Sequence, residues 1–150
     1  MRWRFIDRVT RFEPWTAIAG VKAVSLEEYS LLEPLGRKGR FPETLVIEAG
    51  VQLARWLVTA SSGFEQSCVI ETLDGFGFSG EAGAGSALSV ALTVARRHGT
   101  GLEFTAGVSD AGRPMGGGLL GVSLLPLRAV AVPEDARILW QELHAKTSGT

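Results

Sequence analysis

The clearest element in this chain is a run of apolar residues from Thr44 to Ala60, TLVIEAGVQLARWLVTA. Leu45, Val46, Ile47, Ala49, Val51, Leu53, Ala54, Trp56, Leu57 and Val58 would cover most of the circumference of a helix. A helix apolar nearly all round is a buried helix. Pro42 precedes the run, and proline can open a helix though not continue one. Ser61-Ser62-Gly63 supplies a stop. Only Glu48, Gln52 and Arg55 interrupt the apolar surface, and Glu48 and Gln52, one turn apart, share a face.

The rest of the chain reads mainly as strands. SCVIETL, SALSVALTVARR, GLEFTAGVSD and GLLGVSLLPLRAVAV are rich in Val, Leu and Thr and bounded by glycines. RRHGTG and SDAGR have the composition of hairpin turns, and GRPMGGG reads as a flexible turn. Ahead of the helix, RFIDRVTRFEP and TAIAGVKAVS form a further hairpin turning at Pro14-Trp15. A second, shorter helix is expected over PEDARILWQELHAK. Pro133, Glu134 and Asp135 favour its start, and Ala136, Leu139, Trp140 and Leu143 make one apolar stripe. One buried helix among antiparallel strands implies an α+β fold in which a sheet curls round the helix. The chain, residues 1–150, shows no repeat or linker and reads as one domain. A sheet of this size leaves an exposed edge, which pairing with another chain would cover.

Composition narrows the function. The net charge of −1 gives no global reason to expect nucleic acid as a partner. No window reaches the ~18 apolar residues of a membrane span, and the first residues lack a signal-like apolar stretch, so the expectation is a soluble, cytoplasmic protein. The single cysteine, Cys68, rules out an intrachain disulfide and sits in an apolar run as a small buried hydrophobe. No metal or cofactor motif stands out. The glycines of GRKGR, Gly36 to Arg40, have no strand leading into them and no GK[ST] beside them, so they do not form a phosphate-binding loop of that type.

The segment DRVTRFEPWTAIAGVKAVSLEEYSLLEPLGRKGRFPETLVIEAGVQ, Asp7 to Gln52, resembles the 3-hydroxyacyl-ACP dehydratases of the FabA/FabZ type without a gap. The matches include Asp7-Arg8-Val9, Glu13-Pro14, Lys22, Pro42, Ile47, Glu48, Ala49 and Gln52. A second segment, LDGFGFSGEAGAGSAL, keeps Asp74, Phe78, Gly85 and Leu88. The resemblance implies a hotdog fold: a curved antiparallel sheet wrapped round one long central helix, here with a short C-terminal helix added. It also implies acyl thioesters of acyl carrier protein or CoA as ligands. The expected assembly is a homodimer, a heterodimer with another hotdog chain, or a higher oligomer.

Residue by residue, the resemblance places the family's carboxylate at Glu48, with Gln52 as its polar neighbour. The family's histidine falls on Pro34, which has no titratable group and cannot be a general base. The glycine whose backbone N–H polarises the thioester carbonyl falls on Glu43, with Thr44 next to it. Arg37, Lys38 and Arg40 replace an apolar family loop. They form either a solvated loop or a contact for a phosphopantetheine phosphate or an acidic carrier. Neither His98 nor His144 aligns with the site. Three readings follow: a dehydratase relative weak or inactive alone, a thioesterase in which Glu48 activates water, and a non-catalytic partner of an active hotdog chain.

Overall fold

The computed structural model describes residues 6–23, 43–79 and 85–145. Six strands form one antiparallel sheet: β1 (Arg8–Glu13), β2 (Ala17–Ala23), β3 (Gln66–Phe78), β4 (Ala87–His98), β5 (Gly101–Asp110) and β6 (Arg113–Pro126). Their order across the sheet is β1-β2-β4-β5-β6-β3. The central helix, Glu43–Ser61, lies against the sheet, and a 3-10 turn (Leu127–Ala129) leads to the C-terminal helix, Pro133–Ala145.

Period-two alternation decides which side of the sheet meets the helix. In β4, Leu88, Val90 and Leu92 are buried while Ser89, Ala91 and Thr93 are exposed. Leu102, Phe104, Ala106 and Val108 of β5 and Leu120 and Val122 of β6 continue the inward face. Against them stand Val46, Ala49, Leu53, Ala54, Leu57 and Val58 of the helix, all in one core. This is the α+β, hotdog arrangement that the resemblance implied, and the central helix is its axis.

Local chemistry sets the ends of the elements. After Ser61 the Phe64 N–H donates to the Thr59 carbonyl (2.8 Å) and the Ser62 N–H to that of Val58 (2.9 Å), capping the helix as Gly63 turns into the left-handed region (φ 67°). The β1–β2 turn falls at Pro14–Thr16, and β4–β5 and β5–β6 turn at Gly99–Thr100 and Ala111–Gly112, as the composition of those segments predicted.

Two sequence expectations are corrected. Most of GRPMGGG is not a turn: Gly112 closes the β5–β6 turn, but Arg113 to Gly118 are the first half of β6. Its glycines are there for close approach. A Cβ on Gly118 would come within 2.6 Å of the Phe76 ring on β3, and one on Gly121 would collide with the Thr72 hydroxyl. The last strand also stops at Pro126 rather than running to Val132. Proline lacks the N–H that the ladder needs, and beyond it the Leu127 N–H turns back to the Glu65 carbonyl at 2.9 Å. On the C-terminal helix, Ala136 and Leu143 are buried as expected, but Leu139 stands 36% exposed.

Candidate functional site

At 3.6 residues per turn, Thr44, Glu48, Gln52 and Arg55 fall on one arc of the central helix roughly 80° wide. Val46, Leu53 and Leu57 occupy the opposite arc, pressed into the sheet. The helix thus offers its only polar stripe away from its own sheet. Thr44 and Arg55 are exposed, and Glu48 and Gln52 are half-buried. Gln52 is engaged by a neighbouring group, whereas Glu48 makes no hydrogen bond or ion pair among the described residues. A partly desolvated carboxylate with unused lone pairs is available to a proton or to a ligand donor.

Glu43 opens the helix, so the N–H groups of Glu43 and Thr44 belong to the first turn, which has no intrahelical acceptors. The positive end of the helix dipole adds to them. Glu48 lies one turn further on, about 6 Å along the axis from Thr44. The stripe therefore combines backbone donors with a carboxylate that has no partner among the described residues, a pairing suited to a polarised carbonyl and a proton acceptor beside it.

Pro34, Arg37, Lys38 and Arg40 lie outside the described residues. The two histidines are not near Glu48 in the fold. His98 ends β4 at the end of the sheet that receives the C-terminus of the helix, where the Trp15 N–H donates to Ser61 Oγ and the Val94 N–H to the Thr16 carbonyl. His144 stacks on Trp140 with ring centroids 5.2 Å apart, on the C-terminal helix. Among the described residues, no three His, Cys, Asp or Glu side chains converge as a metal site would require, and no helix is long and apolar enough to cross a membrane.

Cys68 is buried at 2% exposure, as its apolar setting implied. Burial pushes its thiol up to about 12, against a smaller opposing pull from Arg55, so it is a neutral core side chain rather than a nucleophile. A cleft of about 520 Å³ lies at the other end of the helix, lined by Phe64, Glu65, Arg128, Pro133 and Arg137 among others. The helix end beside it, at Ser61, is roughly 20 Å along the axis from Glu48. Its Arg137 is already paired with Glu134 at 2.8 Å and lies over the Phe64 ring, so the cleft is separate from the polar stripe.

One feature of β3 was not legible as chemistry in the sequence. Val69, Ile70 and Leu73 are 39%, 37% and 50% exposed on a strand that pairs only with β6 among the described residues. The apolar run itself was visible. That it lies on an outer edge follows from the strand order, which no local pattern encodes.

Solved structures with the same architecture include a hot-dog-like protein from Thermanaerovibrio acidaminovorans, 17% identical over 85% of this chain and 91% of that one, with a TM-score of 0.65. A Streptococcus mutans protein bound to acetyl CoA matches with a TM-score of 0.66 at 11% identity, over 84% of this chain and 94% of that one. The dehydratase heterocomplex ApeI:P from Xenorhabdus doucetiae matches with a TM-score of 0.61 at 16% identity, over 80% and 82%. No family model and no curated protein matches the sequence. The fold is the hotdog fold, and its structural neighbours include a thioesterase from Pseudomonas aeruginosa besides the dehydratase heterocomplex.

Proposed function

We propose that this chain binds acyl thioesters of CoA or acyl carrier protein along the polar stripe of its central helix and descends from 3-hydroxyacyl-thioester dehydratases. The observation that carries the reading is Glu48. It is a half-buried carboxylate without a partner among the described residues, one turn beyond the first-turn N–H groups of Glu43 and Thr44. The thioester carbonyl would accept from those N–H groups, and Glu48 and Gln52 would face the acyl carbons next to it. Dehydration needs a base to take the proton beside the carbonyl. With Pro34 at the family's histidine position, unaided elimination should be slower by about 10²–10⁴-fold than with a histidine.

A second reading is hydrolysis, and the same geometry favours it because it does not need the histidine. Glu48 would take a proton from water, the oxygen would attack the carbonyl carbon, and the C–S bond would break as Glu48 returns the proton to the leaving sulfur, releasing the thiol and a carboxylic acid. The experiment offers pure protein 3-hydroxyacyl-CoA and saturated acyl-CoA substrates, reading enoyl formation and thiol release separately. Thiol release lost in Glu48→Ala selects the thioesterase. Slow elimination lost in the same variant selects the dehydratase lineage. Fast, family-like elimination would refute the disabling role assigned to Pro34. Thioester binding without either reaction would leave a binding subunit that acts beside a histidine-bearing hotdog chain.

A further inference from the structure

Two rows of side chains run side by side along the central helix. One is the polar stripe. The other lies on the inner face of β3, where Cys68, Ile70 and Leu73 stand opposite Leu124, Val122 and Leu120 of β6. Opposed residues of an antiparallel pair share a face, and Val122 and Leu120 are buried in the core. Ile70 and Leu73 therefore point inward as well, yet the helix leaves them 37% and 50% exposed. Two contacts set the register of the rows. The Gln66 N–H donates to Ser62 Oγ at 2.9 Å, so β3 starts beside the end of the helix and runs back along it. Arg55 acts on the Cys68 thiol, which places it near the start of the strand. From Cys68, Ile70 and Leu73 follow at roughly 7 and 13–16 Å along β3. From Arg55, Gln52 and Glu48 lie about 4.5 and 10.5 Å back along the helix. Ile70 and Leu73 thus flank the level of Glu48, and an apolar wall accompanies the stripe towards Arg55.

Arg55 is the only cation on the helix, and the next in the sequence is Arg96. Its helical neighbours three and four residues away, Val51, Gln52, Val58 and Thr59, include no acid. The strand it faces carries none before Glu71. Arg55 is exposed and makes no hydrogen bond or ion pair among the described residues. A guanidinium at the end of an apolar wall is poorly matched to a hydrocarbon terminus. It is well matched to a carboxylate, which it can grip with two parallel N–H donors.

We propose that the acyl group taken along this stripe ends in a carboxylate held by Arg55, which makes the ligand the monothioester of a dicarboxylic acid. The proposal rests on the thioester reading above and names its substrate class. The chain length follows from the helix. Arg55 lies about 16 Å along the axis from Thr44, where the thioester carbonyl would sit. Helical side chains lean towards the N-terminus, and an arginine reaches back roughly 5 Å. A salt bridge of about 3 Å leaves roughly 8 Å for the carbons between. At about 1.3 Å per carbon of an extended chain, an acid of about six to eight carbons spans the gap.

The test compares adipoyl-CoA with hexanoyl-CoA and suberoyl-CoA with octanoyl-CoA, each made with an uncleavable linkage in place of the thioester. Members of a pair share the CoA and the chain length, so the terminal group alone differs. In calorimetric titrations of wild type, at least one dicarboxylic ligand should bind ~10-fold more tightly than its partner. Added salt should narrow that gap. Arg55→Leu, checked for folding by circular dichroism, should abolish the preference, and Arg55→Lys should keep part of it. Equal binding within both pairs, or tighter binding of the plain acyl members, would overturn the role of Arg55 while the thioester site stands; that comparison within wild type needs no variant to fold. A preference that survives Arg55→Leu would overturn it as well. No binding of any of the four ligands would overturn both the proposal and the reading beneath it.

Discussion

The two edges of the sheet are finished in opposite ways. β1 is six residues long, carries a register shift between Val9 and Arg11, and is covered by the C-terminal helix. Trp140 of that helix meets Phe12 edge-on at 5.0 Å and packs against Trp56 of the central helix at 5.7 Å, closing the near side of the molecule with aromatic rings. β3 is more than twice as long, pairs on one side only among the described residues, and leaves apolar side chains in the open. The difference teaches that the β1 edge is finished by the chain's own C-terminal helix, while the β3 edge has no such cover among the described residues. The polar stripe with Glu48 faces neither interior.

The largest expected effect breaks the closed edge. Leu143 is the buried anchor of the C-terminal helix at 2% exposure, and Leu143→Ala should cost ~2–4 kcal/mol in chemical denaturation. A cost below about 1 kcal/mol would mean that the helix is not integral to the fold. Trp140→Ala comes next at ~1.5–3 kcal/mol, since Trp140 is only half-buried but touches Phe12, Trp56 and His144. At the open edge, Leu73→Thr should change the stability of the single chain by less than ~0.5 kcal/mol. A loss as large as that at Leu143 would show that β3 is already packed in solution.

A pH series sharpens the contrast from inside β3. Cys68 sits on the inward side at the start of that strand, and burial raises its folded pKa to about 12 from a reference of 9.0. Below pH 9 the thiol is protonated whether the chain is folded or not, and its contribution is fully present. As pH rises from 9 towards 12 only the unfolded chain loses the proton, so stability falls. Thermal melts of wild type should therefore drop more steeply with pH in that window than those of Cys68→Ala. Parallel curves would place the thiol in contact with water.

Much of the fold was legible because it is written in periodicity. The central helix was expected from Thr44 to Ala60 and runs from Glu43 to Ser61, since an all-round apolar run flanked by proline and glycine admits few other readings. The strands β4 and β5 were equally plain from their Val, Leu and Thr content and the glycines that bound them. What failed was local: GRPMGGG looks like a turn until Phe76 and Thr72 of a distant strand are laid against it. The candidate site was half legible. Glu48 stood out as a carboxylate in an apolar helix, but its outward direction depends on where the sheet lies. Trp56 was expected in the core and is half-buried, because the helix that covers it comes from the end of the chain.

The most direct test of the account is a calorimetric titration of pure protein with an acyl-CoA analogue whose thioester is replaced by an uncleavable linkage. Wild type should bind it saturably, and Glu48→Arg, a change on the exposed arc of the helix that spares the core, should weaken binding at least ~10-fold. Binding unaffected by that substitution, or no saturable binding at any chain length, would contradict the assignment of the polar stripe as an acyl-thioester site.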